Sequence, residues 1–314
     1  MVRIHLILLA LLATLILLSC DSYTSGPRFE GDVYTVAALL KSGKAIDMAD
    51  PVYITKSALI EDFDPFDIFV TDAQVEIFDL DAGTSWQLVP EVDTQQMKLK
   101  WIDPAANIIQ PEHSYRISVI IPGYEHEITA ETTVPPAVEL VPDYYGLAIP
   151  DQGYSLDPAE PGYDVFEGVD LRYPLALNTF QNSGNFNYMA EMYCLEPFST
   201  DLEYTTTIFG MTHATEDMET AYYSSGEGLR RIQFLGRFSS EIQPEYEDNY
   251  ILLKDYRIGF IFYGRYRVSV YITDDNFYKY QFMSDGYLHG GVKNALGYFG
   301  SAGGGVMYIE VGKS

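Results

Sequence analysis

The densest run of metal-capable side chains is "EDFDPFD", where Glu61, Asp62, Asp64 and Asp67 crowd together and Asp72 follows closely. Carboxylate oxygens are what Ca²⁺ takes, and Asp62, Asp64 and Asp67 form the candidate loop. The EF-hand spacing and its turning glycine are missing, and in an acidic chain such a run is ordinarily a solvated loop. No metal and no cofactor are therefore expected. His113, His126, His213 and His289 lack the His-x-x-x-His and His-Glu-x-x-His spacings of zinc hydrolases. His126, flanked by Glu125 and Glu127, reads as an exposed strand residue, and His289 as a loop residue. A serine nucleophile wants Gly-x-Ser-x-Gly at a strand-to-helix elbow. "YSSGEG" at 223–228 lacks the first glycine, and Ser301 in "GSAGGG" leads into a strand, so both read as flexible turns. Cys194, in "YMAEMYCLEP", reads as a small buried apolar residue on a strand. No catalytic residue is assigned. Aromatics remain: Tyr144, Tyr145, Tyr222 and Tyr223, with the "FNYMAEMY" strand, are a candidate stacking platform for a sugar or peptide.

The other cysteine, Cys20, carries the clearest chemistry. Arg3 precedes an apolar run from Leu6 to Leu18 broken only by Thr14, and the run ends Leu17-Leu18-Ser19-Cys20. The run is short for a spanning helix, which needs about 20 apolar residues, and suits a signal-peptide core. Its end resembles the bacterial lipobox, and that resemblance implies cleavage after Ser19 and lipidation of Cys20 on its thiol and new amine. Several acyl chains, at about 0.8 kcal/mol per buried CH₂, would hold a protein on a membrane without any spanning segment.

The elements that must carry these residues are mostly strands. The chain has 314 residues, 47% hydrophobic and 14% aromatic, too apolar for disorder, and its formal charge of −26 must decorate folded surfaces. Such a charge repels nucleic acid and anionic lipid, and both are set aside as partners. After the signal at 1–19 and a polar tether at 20–28, residues 29–136 alternate with period two. Val75 and Ile77 point inward; Tyr115, Ile117, Val119 and Ile121 share a face; Met97, Leu99 and Trp101 oppose Lys98 and Lys100. Seven strands are expected, at 29–40, 51–57, 73–79, 84–89, 96–101, 114–121 and 125–134, with Pro122-Gly123 as the turn between the last two. They predict an immunoglobulin-like β-sandwich. Pro135-Pro136 closes the unit, and 137–169 reads as an irregular connector. A second β-rich domain at 170–314 is expected to hold strands at 170–178, 186–195, 202–209, 230–238 and 256–272. One helix follows, capped by Thr273 and ended before Gly286, then a glycine-rich turn and a last strand. The expected fold class is mainly β.

Three segments in order, "VTDAQVEIFD" at 70–79, "SYRISVIIPGYEHEITAETTVPP" at 114–136, and a helix followed by "ALGYFG" at 295–300, resemble the bacterial lipoprotein family called domain of unknown function 4249. The resemblance implies an outer-membrane lipoprotein that accompanies TonB-dependent transporters; it brings no catalytic residue.

The sequence therefore leads to a non-enzymatic envelope lipoprotein, lipid-anchored at Cys20, with the outer membrane favoured over the inner despite Asp21, and with a transporter as partner. A glycan- or peptide-capturing lipoprotein is the second reading, and a hydrolase with a non-standard site the third.

Overall fold

A computed structural model describes residues 33–58, 66–137, 139–140, 164–167, 175–178, 187–208, 210–223, 228–235, 240–243, 250–253 and 259–312. The chain is mainly β. Its strands are β1 (Tyr34–Lys41), β2 (Tyr53–Lys56), β3 (Gln74–Asp79), β4 (Thr84–Asp93), β5 (Lys98–Ile102), β6 (Ser114–Ile120), β7 (Ile128–Thr133), β8 (Glu139–Leu140), β9 (Asp164–Glu167) and β10 (Leu175–Asn178). They continue as β11 (Asn187–Cys194), β12 (Glu203–Ile208), β13 (Met211–His213), β14 (Arg230–Leu235), β15 (Ser240–Gln243), β16 (Tyr250–Leu253), β17 (Gly264–Thr273) and β18 (Leu296–Gly312). The helix α1 spans Asp275–Phe282.

Each of the seven strands expected before Pro135 has a counterpart. β3, β6 and β7 form an antiparallel set with the first half of β4, while Val89–Asp93 of β4 turns to pair with β5. A bridge between Val52 and Trp101 ties β5 back to the approach to β2. One strand thus serves both layers and closes the sandwich. The alternating residues fill it: Val75, Ile77, Ile117 and Val119 from one layer meet Val36, Ile54 and Trp101 from the other, all essentially without solvent contact. Each aliphatic side chain so buried contributes about 1.5–3 kcal/mol. The turn at Pro122-Gly123 forms as expected, Gly123 at φ 82° and the Tyr124 N–H donating to the Ile121 carbonyl. The final strand starts at Ile128 rather than 125, so Glu125 and His126 sit in a bend, with His126 exposed.

The first strand differs from expectation in its partners. β1 pairs in parallel with β18, Thr35 opposite Leu296 through Lys41 opposite Ala302. It lies in a large sheet ordered β14-β11-β17-β18-β1-β2, with β9 also on β18. One sandwich layer is therefore the end of the sheet built by the second half of the chain, and Phe299 of β18 sits in the sandwich core. Farther along, β11 and β17 are covered on both faces, with Ala190, Met192, Val268 and Val270 in a second core and Met189 and Tyr271 packed under α1.

Two local features depart from the sequence reading. The helix cap is Asp274, whose carboxylate accepts the Phe277 N–H at 3.0 Å, while Thr273 ends β17. The Asp274 carboxylate also accepts the Thr132 hydroxyl at 2.6 Å, and the Ser301 hydroxyl donates to the Thr133 carbonyl, so the cap fastens β7 to β17 and β18. Second, "SAGGG" is no turn. It lies inside the seventeen-residue β18, because other backbone comes too close for side chains: a Cβ on Gly303 would run into the Pro135 and Pro136 carbonyl oxygens. Gly303→Ala is accordingly expected to cost roughly 1–3 kcal/mol through overpacking. Chemical denaturation of the purified protein measures this, and an unchanged midpoint would refute the contact.

Candidate functional site

Several sequence-selected positions are structural. Asp67 lies in an exposed turn, and Asp62 and Asp64 are outside the described residues; among the described residues no group of three His, Cys, Asp or Glu is placed to hold a metal. Tyr144 and Tyr145 also lie outside them. Tyr222 is 2% exposed, its hydroxyl donating to the Glu196 carbonyl, and Tyr223 packs half-buried beside it with its hydroxyl taking the Phe198 N–H. Tyr222 has no ring face to offer a ligand, and every residue of the "NYMAEMYC" strand is buried. The platform expectation is therefore corrected at Tyr222 and β11, whose rings are packed in the core. Cys194 is a free, fully buried thiol, its pKa raised by burial. Ser301 is buried and tied to Thr133. His113 is half-buried against Asp79 at 2.9 Å, and that carboxylate also takes the N–H groups of Asp81 and Ala82, a turn-fixing arrangement.

The densest chemistry lies instead on one face of the large sheet. Register places Lys41, Ala302, Gly304, Tyr271 and Glu191 on that face. Gly304 has no side chain to stand between them: a Cβ there would strike the Tyr271 ring, and Lys41 Nζ passes 5.5 Å from that ring's centroid. Lys41 thereby reaches Glu191 at 3.0 and 3.1 Å and Asp50 at 2.6 Å. Arg230, opposite Tyr193 on β14, joins Asp50 at 3.0 Å, pairs with Glu191 through Nε, and donates to the Ala49 carbonyl. Asp50 is delivered by the loop after β1. The Asp47 carboxylate accepts the N–H groups of Ala49 and Asp50, and Gly43, Lys44 and Ile46 bond to the backbone of Ile109 and Asp103.

Lys41 and Glu191 are each only 3% exposed. Burial alone would raise both carboxyls, but the opposing charges of Lys41, Lys44 and Arg230 prevail and hold Asp50 and Glu191 below the usual carboxylate range. Burial, then repulsion from Lys41, lowers the Lys44 ammonium despite the two acids. Beside this cluster opens a cleft of about 830 Å³, walled by the loop at 43–50, by residues 92–96 and Lys100, and by Tyr193, Arg230 and Arg267 of the sheet. Lys100 was expected on the outward face of its strand. It is 4% exposed, held by Asp93 at 2.7 Å and the Met48 carbonyl at 2.8 Å, while Met97 falls in the preceding turn. Sequence reasoning missed Lys41, Asp50, Glu191 and Arg230; the available signal was a lone glutamate in the otherwise uncharged strand "NYMAEMYC".

Removing one member of a buried pair strands its partner and typically costs about 3–5 kcal/mol, so Glu191→Gln is expected to lower stability by that order. The pH dependence follows in sign. With both carboxyls below their unfolded values, the folded chain binds fewer protons, so their stabilisation is complete above about pH 5 and fades as pH falls through 4. Denaturation midpoints measured across that range should fall more steeply for the wild type than for Glu191→Gln. Equal slopes would remove Glu191 from the account.

No curated protein matches the chain. Among solved structures, the crystal structure of chicken CNTN1 FN1-FN3 domains aligns at 12% identity over 90% of this chain and 68% of that one, with a TM-score of 0.16, too low to carry a structural argument. A family model does match, over residues 23–303. On that coverage, the chain belongs to the family described as Domain of unknown function (DUF4249).

Proposed function

We propose that this is a lipid-anchored protein of the bacterial cell envelope that works by binding rather than by catalysis, as an accessory to outer-membrane transport. One observation carries the reading: an apolar run that stops at Leu17-Leu18-Ser19-Cys20, followed within a few residues by a polar stretch and then β1. The stretch from Cys20 to the first strand can reach at most about 50 Å when extended, enough to hold a folded body close to a bilayer. No helix among the described residues is long and apolar enough to cross a membrane. A binding role agrees with where the nucleophile candidates lie, since Cys194 and Ser301 are both buried. It agrees also with an open cleft of about 830 Å³, within the volume range of small-molecule sites.

Cells expressing the protein and fed labelled palmitate should incorporate it into the wild type and not into Cys20→Ser, and the variant should leave the membrane fraction. Equal labelling, or a wild type that is never labelled, would end the anchor reading. Affinity capture from gently solubilised membranes should recover an outer-membrane transporter above background; recovery of no envelope protein would end the accessory role.

A further inference from the structure

The cleft has an uneven charge balance in a chain whose formal charge is −26. Lys41, Lys44 and Arg230 gather around two carboxylates, Asp50 and Glu191, and Arg267 lines the same cleft. Those two are engaged by Lys41 and Arg230 at hydrogen-bond distance. Lys44 lies 3.6 and 3.8 Å from them, outside that distance, with its side chain 26% exposed at the cleft. Arg267 has no carboxylate in ion-pair contact among the described residues; its guanidinium carbon lies 4.8 Å from the Tyr193 ring centroid. Of the other acids of the cleft, Asp93 pairs with Lys100, while Asp47 accepts backbone N–H groups and keeps its charge. Lys41, Lys44, Lys100, Arg230 and Arg267 stand against Asp47, Asp50, Asp93 and Glu191, so the cleft and the cluster behind it carry one more positive than negative charge, and Lys44 and Arg267, which have no carboxylate at hydrogen-bond distance, both line the cleft.

We propose that the cleft binds a small organic anion, its carboxylate or phosphate held by Arg267 and Lys44 and its body lying against Tyr53 and the apolar lining beside it. A planar guanidinium meets either group through two parallel hydrogen bonds, and an ammonium adds a point charge. Tyr53, half-buried, supplies ring surface at the same cavity, and Met48, Val92 and Ile108 add apolar lining. The ligand is small because the cavity is, and it is an anion because, among the described residues, Arg267 has no carboxylate in ion-pair contact and Lys44 none at hydrogen-bond distance. The site is independent of lipidation: a failure here leaves the anchor reading standing, and a failure of the anchor leaves the site standing.

Isothermal titration of the purified full-length protein, in detergent, tests it with inorganic phosphate, acetate, 4-hydroxybenzoate and the amide of 4-hydroxybenzoate as probes. Saturable binding of at least one anion is expected, with the neutral amide bound at least tenfold more weakly than its acid. Strongest binding of phosphate would identify a phosphate-bearing ligand, and strongest binding of the aromatic acid a carboxylate-bearing one. Arg267→Ala should weaken the preferred anion roughly tenfold to a hundredfold, from the strength of charge-assisted bonds, and Lys44→Gln should weaken it too, while Arg267→Lys retains part of the affinity. Thermal midpoints identify any variant that has failed to fold, and Lys44→Gln, at a partly exposed position, keeps the test open if Arg267→Ala has. No saturable binding of any anion at millimolar concentration, equal binding of acid and amide, or undiminished binding by folded Arg267→Ala and Lys44→Gln would overturn the proposal.

Discussion

The parallel ladder between β1 and β18 is the constraint from which the rest follows. It joins Thr35–Lys41 to Leu296–Ala302 and turns two expected halves into neighbours in one sheet. The sandwich borrows a layer from that sheet, and Phe299 enters its core because β18 lies directly beside β1. Parallel neighbours are ordinarily buried and need long connections. Here almost the whole chain is the connection, and β1 is flanked on its other side by β2.

That ladder also sets the chemistry. It ends at Lys41, whose side chain runs across a stretch of β18 that glycine leaves bare and finds Glu191 two strands beyond β18. A buried ion pair seldom adds much net stability over apolar packing of the same volume; its value lies in how costly it is to misplace. Four elements converge here: β1, the loop carrying Asp50, β11 and β14. Any slip among them would leave a charge unpaired in the interior. The cluster therefore fixes the seam between the sandwich and the large sheet, with Lys44 at its partly exposed edge and Arg267 beside it at the cleft.

Strands were readable wherever one face was wet. Val75, Ile77, Tyr115, Ile117 and Val119 alternate with polar neighbours, and their inward faces follow from that period alone. Partners across long separations were not readable, since β1 has the pattern of any half-buried strand and nothing in it names β18. The glycines of "SAGGG" carry the composition of a turn, and only the Pro135 and Pro136 carbonyls reveal them as close-approach residues in a strand. Tyrosines misled for a related reason: composition cannot distinguish a ring that greets a ligand from one that fills a core, as Tyr222 does. The buried cluster escaped notice because Lys41 and Asp50 lie far in sequence from Glu191 and Arg230, and only the lone glutamate of an otherwise uncharged strand hinted at it. Lys100 escaped because Asp93 neutralises it and lets an outward parity turn inward.

The position of β18 governs the order in which this polypeptide can acquire its structure. Contacts between such distant segments carry a loop-closure cost that must be met before they return any stabilisation. Until β18 is synthesised, β1 lacks one neighbour and the sandwich lacks Phe299. A chain not yet extended through β18 is thus held back from premature collapse into its final form.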